Sequence, residues 1–184
     1  GNPAAVCPLD RWIDESVMQK IAVENNLSET AFFVKNDKSY EIRWFTPEYE
    51  IDLCGHATIA SAYVIFNFLK EERSEIEFSS KSGTLKVKNE NGKLWLDFPA
   101  RAPELSEIDE NLVKGVGKIP TKILKSRDYF MVYESEDDIR SITPDFAKLA
   151  KVDAVGVIVT TKSEKYDFVC RYFAPGAGVP EDPV

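Results

Sequence analysis

The stretch Arg43–Thr58, RWFTPEYEIDLCGHAT, is matched in part by a second stretch, Arg171–Val184, RYFAPGAGVPEDPV. Each begins with arginine, an aromatic residue and phenylalanine, and each has a proline two residues later. The residue seven positions past that proline is Cys54 in the first stretch and Asp182 in the second. Because the surrounding strand–turn–strand pattern repeats as well, the sequence predicts an internal duplication. The repeated segments end with a thiol in one half and a carboxylate in the other.

The residues around the first copy predict a hairpin followed by a buried helix. Apolar and polar residues alternate over Tyr40–Phe45, and an apolar run over Thr30–Val34 precedes them, so two strands joined by a polar turn are expected. Residues 57–69 are apolar on nearly every side, which is typical of a helix surrounded by protein. An earlier amphipathic segment, Asp14–Asn26, predicts another helix, and Asn91-Gly92 between two apolar runs predicts a second hairpin.

A charged segment with several prolines and glycines, Pro99–Ile119, predicts the crossing between the two halves. We place residues 1–105 in the first half and residues 106–184 in the second. A helix is expected over Pro144–Lys151, with Thr143 as its N-cap and proline at its first position. The remaining predicted elements are a short helix near Asp109–Lys114 and strands at Tyr129–Tyr133, Ala154–Thr161 and Tyr166–Phe173.

Composition excludes several classes of protein. The net charge of −8, from 31 acidic and 23 basic residues, argues against nucleic acid or an anionic membrane as the main partner, because phosphate groups require a basic surface. The three unclustered cysteines predict no disulfide framework. With no signal peptide and no apolar run near ~20 residues, a soluble cytoplasmic protein is the expectation.

The duplication predicts a second buried helix after Asp182-Pro183, equivalent to the helix over residues 57–69. We therefore expect the protein to continue past Val184, and to have a strand before Gly1. The two helix N-termini would face one cleft, where their free N–H groups and dipoles favour an anion. Cys54 and Asp182 would then be proton-handling groups at the two helix entrances.

Each candidate residue also has a purely structural interpretation. Cys54 is either a small buried apolar residue or a thiol whose pKa is lowered at a helix N-terminus, so that it works as a base. His56 is the only histidine, which leaves no histidine pair for a zinc site; it either caps the helix or binds substrate. Taken alone, Glu29 is typical of a solvated loop carboxylate, and Asp182 before Pro183 is typical of a helix cap.

Five strings, in order along the chain, resemble the PhzF-like family, the isomerases of phenazine biosynthesis and their relatives. They are GNPAAVC at Gly1–Cys7, LSETAFF at Leu27–Phe33, RWFTP at Arg43–Pro47, LCGHAT at Leu53–Thr58 and GVPEDPV at Gly178–Val184. The resemblance implies an α+β fold like that of diaminopimelate epimerase, with two pseudo-symmetric α/β halves. Each half would wrap a sheet round a central helix, with the active site between the halves. The resemblance implies neither a metal nor an organic cofactor.

The resemblance also implies roles for individual residues. Glu29 corresponds to the catalytic carboxylate that moves a proton between carbons of the substrate, and His56 and Asp182 correspond to residues that position or assist. Gly55 and its neighbours would offer backbone N–H groups to the carboxylate of a small-molecule substrate. The expected substrate-binding residues are Asn2, Cys54, Gly55, Ala57 and Pro183.

A carboxylate in a closed apolar cleft has its pKa raised by desolvation, so Glu29 alone could remove a proton and return it. Two alternatives stay open. A racemase or epimerase of an amino-acid-like substrate would use Cys54 and Asp182 as opposed bases, although Asp182 stands where related racemases have a second cysteine. A non-catalytic protein would bind a small molecule in the same cleft without turnover. The substrate and a homodimeric assembly are left open by the sequence.

Overall fold

The chain divides into two compact units, one of residues 2–99 and the other of residues 100–184 with Gly1. The computed structural model describes residues 1–183. The boundary predicted from the sequence lies between residues 105 and 106. Residues Glu104–Leu105 form a strand that pairs within the second unit, and the segment from residue 100 onward belongs to that unit.

The first unit contains one curled sheet and two helices among the described residues. Strands β1 to β7 are Ala4–Leu9, Glu29–Lys35, Tyr40–Phe45, Glu50–Ile51, Glu75–Ser80, Gly83–Glu90 and Lys93–Asp97, and helices α1 and α2 are Glu15–Asn25 and Gly55–Asn67. The sheet order is β1-β2-β3-β5-β6-β7, with β4 paired to β3. The pairs β1–β2 and β3–β5 are parallel and the others are antiparallel.

Helix α2 is the centre of the first unit. It contacts β1 and β2 at one end of the sheet order and β7 at the other, so the sheet curls around it. The alternation predicted for β3 is present, since Tyr40, Ile42 and Trp44 all lie in the core cluster that contains the buried residues of α2. Large apolar side chains of this kind contribute roughly 1.5–3 kcal/mol each when buried. This packing fixes the position of the α2 N-terminus.

The prediction that α2 is surrounded by protein on all sides is wrong for one face. Its buried residues are Ala57, Thr58, Ser61, Ala62, Ile65 and Phe66. Tyr63, on the opposite face, is 53% exposed. Apolar residues of α2 therefore lie both in the core and on an exposed surface.

Helix α1 packs on the other face of the sheet, where Met18 and Ala22 join Phe32 and Phe45 in a separate core cluster. The helix ends at Asn25 and is followed by its C-cap, Asn26, which adopts the left-handed conformation (φ 48°) and donates its backbone N–H to the Ala22 carbonyl. Asparagine tolerates this conformation better than most residues. The chain then reverses and enters β2.

The second unit has its own six-stranded sheet. Strands β8 to β13 are Glu104–Leu105, Lys122–Lys125, Tyr129–Val132, Val157–Lys162, Phe168–Ala174 and Val179–Asp182, in the order β13-β12-β11-β10-β9-β8. Helices α3 to α5 are Glu110–Val116, Glu136–Ser141 and Phe146–Leu149, and a 3₁₀ turn spans Pro175–Ala177.

Across residues 1–183, no helix combines the length and apolar character that a membrane crossing requires.

Two helix predictions in the second unit need correction. The helix expected over Pro144–Lys151 is shorter and begins at Phe146, because the Asp145 side chain, rather than Thr143, accepts a hydrogen bond from the Lys148 backbone N–H. Helix α4 was not predicted, although Ser135 and Asp138 form a capping box at its start. The strand expected from Ala154 begins later, at Val157.

The two units repeat one arrangement. In the first, β1 pairs in parallel with β2, and β2, β3 and β4 follow as antiparallel neighbours. In the second, β10 pairs in parallel with β11, and β11, β12 and β13 follow in the same way. The predicted duplication is therefore visible in the strand pairing. The second central helix, expected after Asp182-Pro183, lies outside the described residues.

The repeated arginine has the same role in both units. Arg43 donates two hydrogen bonds to Glu50, from Nε at 2.7 Å and from the terminal nitrogen at 2.6 Å. Arg171 donates equivalent bonds to Glu181, at 2.7 and 2.9 Å. Each guanidinium also lies over the phenylalanine two residues later, at 5.2 Å for Arg43 and 5.0 Å for Arg171. The repeated arginine thus links β3 to β4 in the first unit and β12 to β13 in the second.

Lowering the pH is expected to destabilise the first unit through Glu71. Two hydrogen bonds from Arg73 lower the pKa of the Glu71 carboxyl from 4.5 to about 2; burial opposes this shift and the Tyr40 hydroxyl supports it. Because the folded-state pKa lies below the unfolded one, this stabilisation is complete above about pH 4.5 and is lost as the pH falls toward about 2. Chemical unfolding across that range measures the effect.

Glu71→Gln separates this effect from general acid denaturation. At neutral pH the variant should lose about 1.5–3 kcal/mol of unfolding free energy, as expected for hydrogen bonds to a charged group. Between about pH 4.5 and pH 2 its unfolding free energy should then fall less than that of the wild type. The exposed neighbour Glu72→Gln is the matched control. Parallel pH curves for the wild type and Glu71→Gln would contradict the prediction.

A methyl group at Gly156 is expected to disturb the second unit. A Cβ atom there would overlap the ring of Tyr172, whose hydroxyl donates a hydrogen bond to Asp128 at 2.9 Å. Gly156→Ala should therefore lower the free energy of unfolding by about 1–3 kcal/mol, the usual cost of overpacking. Gly176→Ala is the control, since its Cβ would meet only the Ala150 carbonyl oxygen at 3.9 Å. Equal stabilities of the two variants would count against this packing.

Candidate active site

Glu29 is the first residue of β2, just after the turn that ends α1. The parallel register with β1 places Glu29 beside Ala4, near the start of the chain. In the same turn the Ser28 hydroxyl donates to Asn2 Oδ1 at 3.5 Å. The Glu29 side chain is only 13% exposed. The pairing of two strands distant in sequence therefore brings this carboxylate and Asn2 into one region.

Cys54 is the N-cap residue of α2, with an extended backbone (φ −144°, ψ 119°), and Gly55, His56 and Ala57 form the first helical turn. The Thr58 hydroxyl donates to the Cys54 carbonyl at 2.5 Å. N–H groups in the first turn of a helix have no acceptor within the helix and lie at the positive end of its dipole. This end of α2 favours a negatively charged partner.

His56 bridges the carboxylate and the thiol. Its Nε2 atom lies 3.2 Å from Glu29 Oε2, and its Nδ1 atom lies 3.6 Å from Cys54 Sγ. A neutral imidazole offers one N–H donor and one acceptor nitrogen, and the protonated ring offers two donors. The ring can therefore stabilise the charged form of Glu29, exchange a proton with it, or interact with the thiol.

The same three side chains are a donor set for a metal ion. Ligand atoms of Glu29, Cys54 and His56 all lie within 4.8 Å of one another. A single histidine rules out a histidine pair, but a mixed group of one histidine, one cysteine and one glutamate was not predicted.

An apolar cleft of about 740 Å³ lies beside His56 in the first unit. Its walls come from β1, from the exposed face of α2 and from β7. The lining residues are Asn2, Ala4, Val6, Gly55, His56, Ile59, Ala60, Tyr63, Val64, Leu94 and Leu96. Sites for small molecules typically combine apolar walls with a few polar groups, here Asn2 and His56.

The predicted site residues divide between the two units. Asn2, Glu29, Cys54, Gly55, His56 and Ala57 all belong to the first unit, where Cys54 and Ala57 are buried. Ala57 is fully buried and packs in the core, so its part in substrate binding stays a prediction. Asp182 and Pro183 belong to the second unit, and their membership of the same site stays a prediction.

Asp182 ends β13 opposite Tyr172 of β12. The Tyr172 hydroxyl donates to Asp128, which also accepts a hydrogen bond from Arg127 Nε at 3.0 Å. Burial, followed by the neighbouring Asp128 carboxylate, raises the pKa of Tyr172 well above its usual range. The Tyr172 hydroxyl therefore stays protonated at ordinary pH values and donates to Asp128.

The apolar lining of the cleft was not predicted as part of the site. On α2, Ile59 and Tyr63 follow His56 at helical spacing, and Leu94 and Leu96 alternate on β7. This spacing was visible in the sequence. It could not be singled out, because nearly every position of the helix is apolar.

The fold of the chain indicates the class of protein to which it belongs. The solved structure of a predicted epimerase from Pseudomonas aeruginosa matches with a TM-score of 0.71, covering 99% of this chain and 71% of that one. The sequence identity is 17%, so this likeness concerns the fold alone. The chain has the α+β fold of diaminopimelate epimerase-like proteins, as predicted.

Closer relatives define the family. The crystal structure of a phenazine biosynthesis protein of the PhzF family from Enterococcus faecalis has a TM-score of 0.88 and 48% identity, covering 100% of this chain and 71% of that one. An uncharacterized isomerase from Pseudomonas aeruginosa is 48% identical over 184 residues, again 100% of this chain and 71% of the relative. The model of the phenazine biosynthesis-like protein family, PhzC-PhzF, matches residues 1–184. The chain belongs to this family of isomerases, which confirms the predicted resemblance.

Proposed function

We propose that this protein moves a proton between two carbon atoms of a small carboxylate substrate, with Glu29 as both the base and the acid. The observation that carries the proposal is the 3.2 Å contact between Glu29 and His56, a residue that lines the apolar cleft. A largely buried carboxylate therefore contacts an imidazole, a second group that can accept or donate a proton, at the edge of the cleft.

The first step breaks a C–H bond of the substrate. The Glu29 carboxylate takes the proton, and the electron pair stays on the substrate, delocalised over its unsaturated system. The resulting carboxylic acid then gives the proton to a second carbon, and the double bond shifts between the two positions. One group can perform both transfers because a shielded carboxyl group gains and loses a proton near the working pH more readily than a solvated one.

The neighbouring groups supply binding and positioning. The first-turn N–H groups of α2, at Gly55 and its neighbours, would receive the substrate carboxylate at the positive end of the helix. Asn2 offers an amide, and the apolar wall takes the carbon skeleton. His56 would hold Glu29 in place. Asp182 and Pro183 would contribute from the second unit, and no cofactor is invoked.

Cys54 supports a second candidate function. A thiol at a helix N-cap, 3.6 Å from an imidazole, is in a position where thiolates are stabilised. A racemase or epimerase would use Cys54 as one base and Asp182 as the opposing one, and would invert a single carbon. A protein that only binds its ligand would leave every carbon unchanged.

A ligand screen followed by turnover in D₂O tests these functions. A carboxylate that binds only the native protein raises its melting temperature, which selects compounds for the second stage. NMR of each selected compound after incubation should show a C–H or C–D bond at a second carbon. Inversion at one carbon would support the racemase instead, and no change would support a binding protein.

We also propose that the protein is a cytoplasmic homodimer. Light scattering measures its oligomeric state.

A further inference from the structure

We propose that Glu29, Cys54 and His56 form a zinc-binding site whose occupation blocks the active site. The three side chains come from two separate places, the start of β2 and the start of α2, yet their ligand atoms all lie within 4.8 Å of one another. The ability to bind zinc does not depend on the proposed function. Only the blocking effect rests on it.

The donor chemistry suits zinc. Thiolate, imidazole and carboxylate are the three protein ligand types of Zn²⁺, and a thiolate with an imidazole disfavours Mg²⁺ and Ca²⁺, which prefer oxygen ligands. Zinc–ligand bonds of about 2.0–2.3 Å in a tetrahedron put neighbouring ligand atoms roughly 3.3–3.7 Å apart. Here Glu29 Oε2 lies 3.2 Å from His56 Nε2, and Cys54 Sγ lies 3.6 Å from the other ring nitrogen, Nδ1, so the carboxylate and the thiol approach opposite nitrogens of the ring.

One local movement completes the geometry. The imidazole now directs Nε2 to Glu29 and Nδ1 to Cys54, whereas a metal ion takes a single nitrogen. A rotation of the ring would direct one nitrogen to the point between the carboxylate and the thiol. The His56 side chain is 28% exposed and borders the cleft, and its Nε2 atom is buried on the side of Glu29. The fourth position would hold water.

Binding would change the protonation of the site and its activity together. The Cys54 thiol loses its proton to solvent when the Zn–S bond forms, and the imidazole binds in its neutral form, so affinity falls as the pH is lowered. A Glu29 oxygen that binds zinc is no longer available to remove a proton from carbon. Zinc and a substrate of the isomerase would therefore exclude one another.

Cobalt provides a direct probe, since Co²⁺ accepts the same ligands and a thiolate–cobalt bond gives a charge-transfer absorption band. Titrating the purified, reduced protein with Co²⁺ should give this band, saturating at one ion per chain and disappearing when Zn²⁺ is added. The band should be lost in Cys54→Ser and kept in Cys7→Ser and Cys170→Ser, which remove the other two thiols. Absence of the band, or its persistence in Cys54→Ser, would overturn the proposal.

Two further variants test the site if Cys54→Ser does not fold. Glu29→Gln and His56→Asn should each weaken Zn²⁺ binding, measured by calorimetry, by at least about ten-fold. Circular dichroism confirms that each variant is folded. Unchanged affinity in both variants would also overturn the proposal. Carbon-to-carbon proton transfer is measured separately without metal, so a failure of zinc binding and a failure of the isomerase function are distinguishable.

Discussion

Replacing Glu29 by glutamine is expected to lower the rate of isomerisation by about 10²–10⁴-fold, the usual contribution of general acid–base catalysis. Glutamine keeps the shape of the side chain and its place at the start of β2, but it neither takes nor returns a proton. The measurement is turnover, followed by NMR, of a carboxylate selected by the thermal screen.

The control for this prediction is Glu24→Gln, which makes the same change at an exposed position on α1. It should keep full turnover, and both variants should unfold at similar temperatures. A folded Glu29→Gln protein with wild-type turnover would remove Glu29 from the mechanism.

Replacing His56 by alanine is expected to lower kcat by about 10²-fold, at the lower end of the range for proton-transfer catalysis. The change removes the ring 3.2 Å from the Glu29 carboxylate, so Glu29 would lose the group that we propose holds it in place. Because His56 acts mainly through Glu29, KM should change much less than kcat. Steady-state kinetics over a range of pH measures both quantities.

His56→Gln provides the matched comparison, since its amide keeps a hydrogen-bond donor without a titratable group. It should recover part of the lost kcat and should lack the pH dependence that the imidazole contributes. If His56→Ala loses affinity but not kcat, then His56 binds substrate and does not position Glu29.

The duplicated fold was predictable because the repeated residues make a repeated set of contacts. Arginine and phenylalanine two positions apart on a strand lie on one face, where the guanidinium covers the ring. The same arginine then reaches a glutamate on the returning strand, Glu50 in one unit and Glu181 in the other. A short sequence match could therefore indicate a whole supersecondary unit.

Other elements depend on contacts that a local pattern does not contain. Strand β4 has only two residues and exists because they pair with the end of β3. The unpredicted helix α4 has six residues, too few for a clear apolar period. The open face of α2 has the same apolar character as its buried face, so composition alone could not tell them apart.

The candidate site was only partly accessible from local sequence. Glu29 follows a helix and looks like an ordinary loop carboxylate; its contact with His56 depends on the sheet that curls around α2. Family resemblance, and not local pattern, singled out both residues. The mixed donor set of Glu29, Cys54 and His56 became evident only from the distances between their side chains.

The position of hydrogen in the product formed in D₂O tests most directly whether Glu29 moves a proton between two carbons. The protein is incubated with the carboxylate that stabilises it most, and the carbon skeleton is followed by ¹H and ¹³C NMR. Proton transfer between two carbons by Glu29 should give a constitutional isomer with a new C–H or C–D bond at the second carbon, and Glu29→Gln should give no such product. A stereoisomer inverted at one carbon, or a ligand that binds and is recovered unchanged, would contradict it.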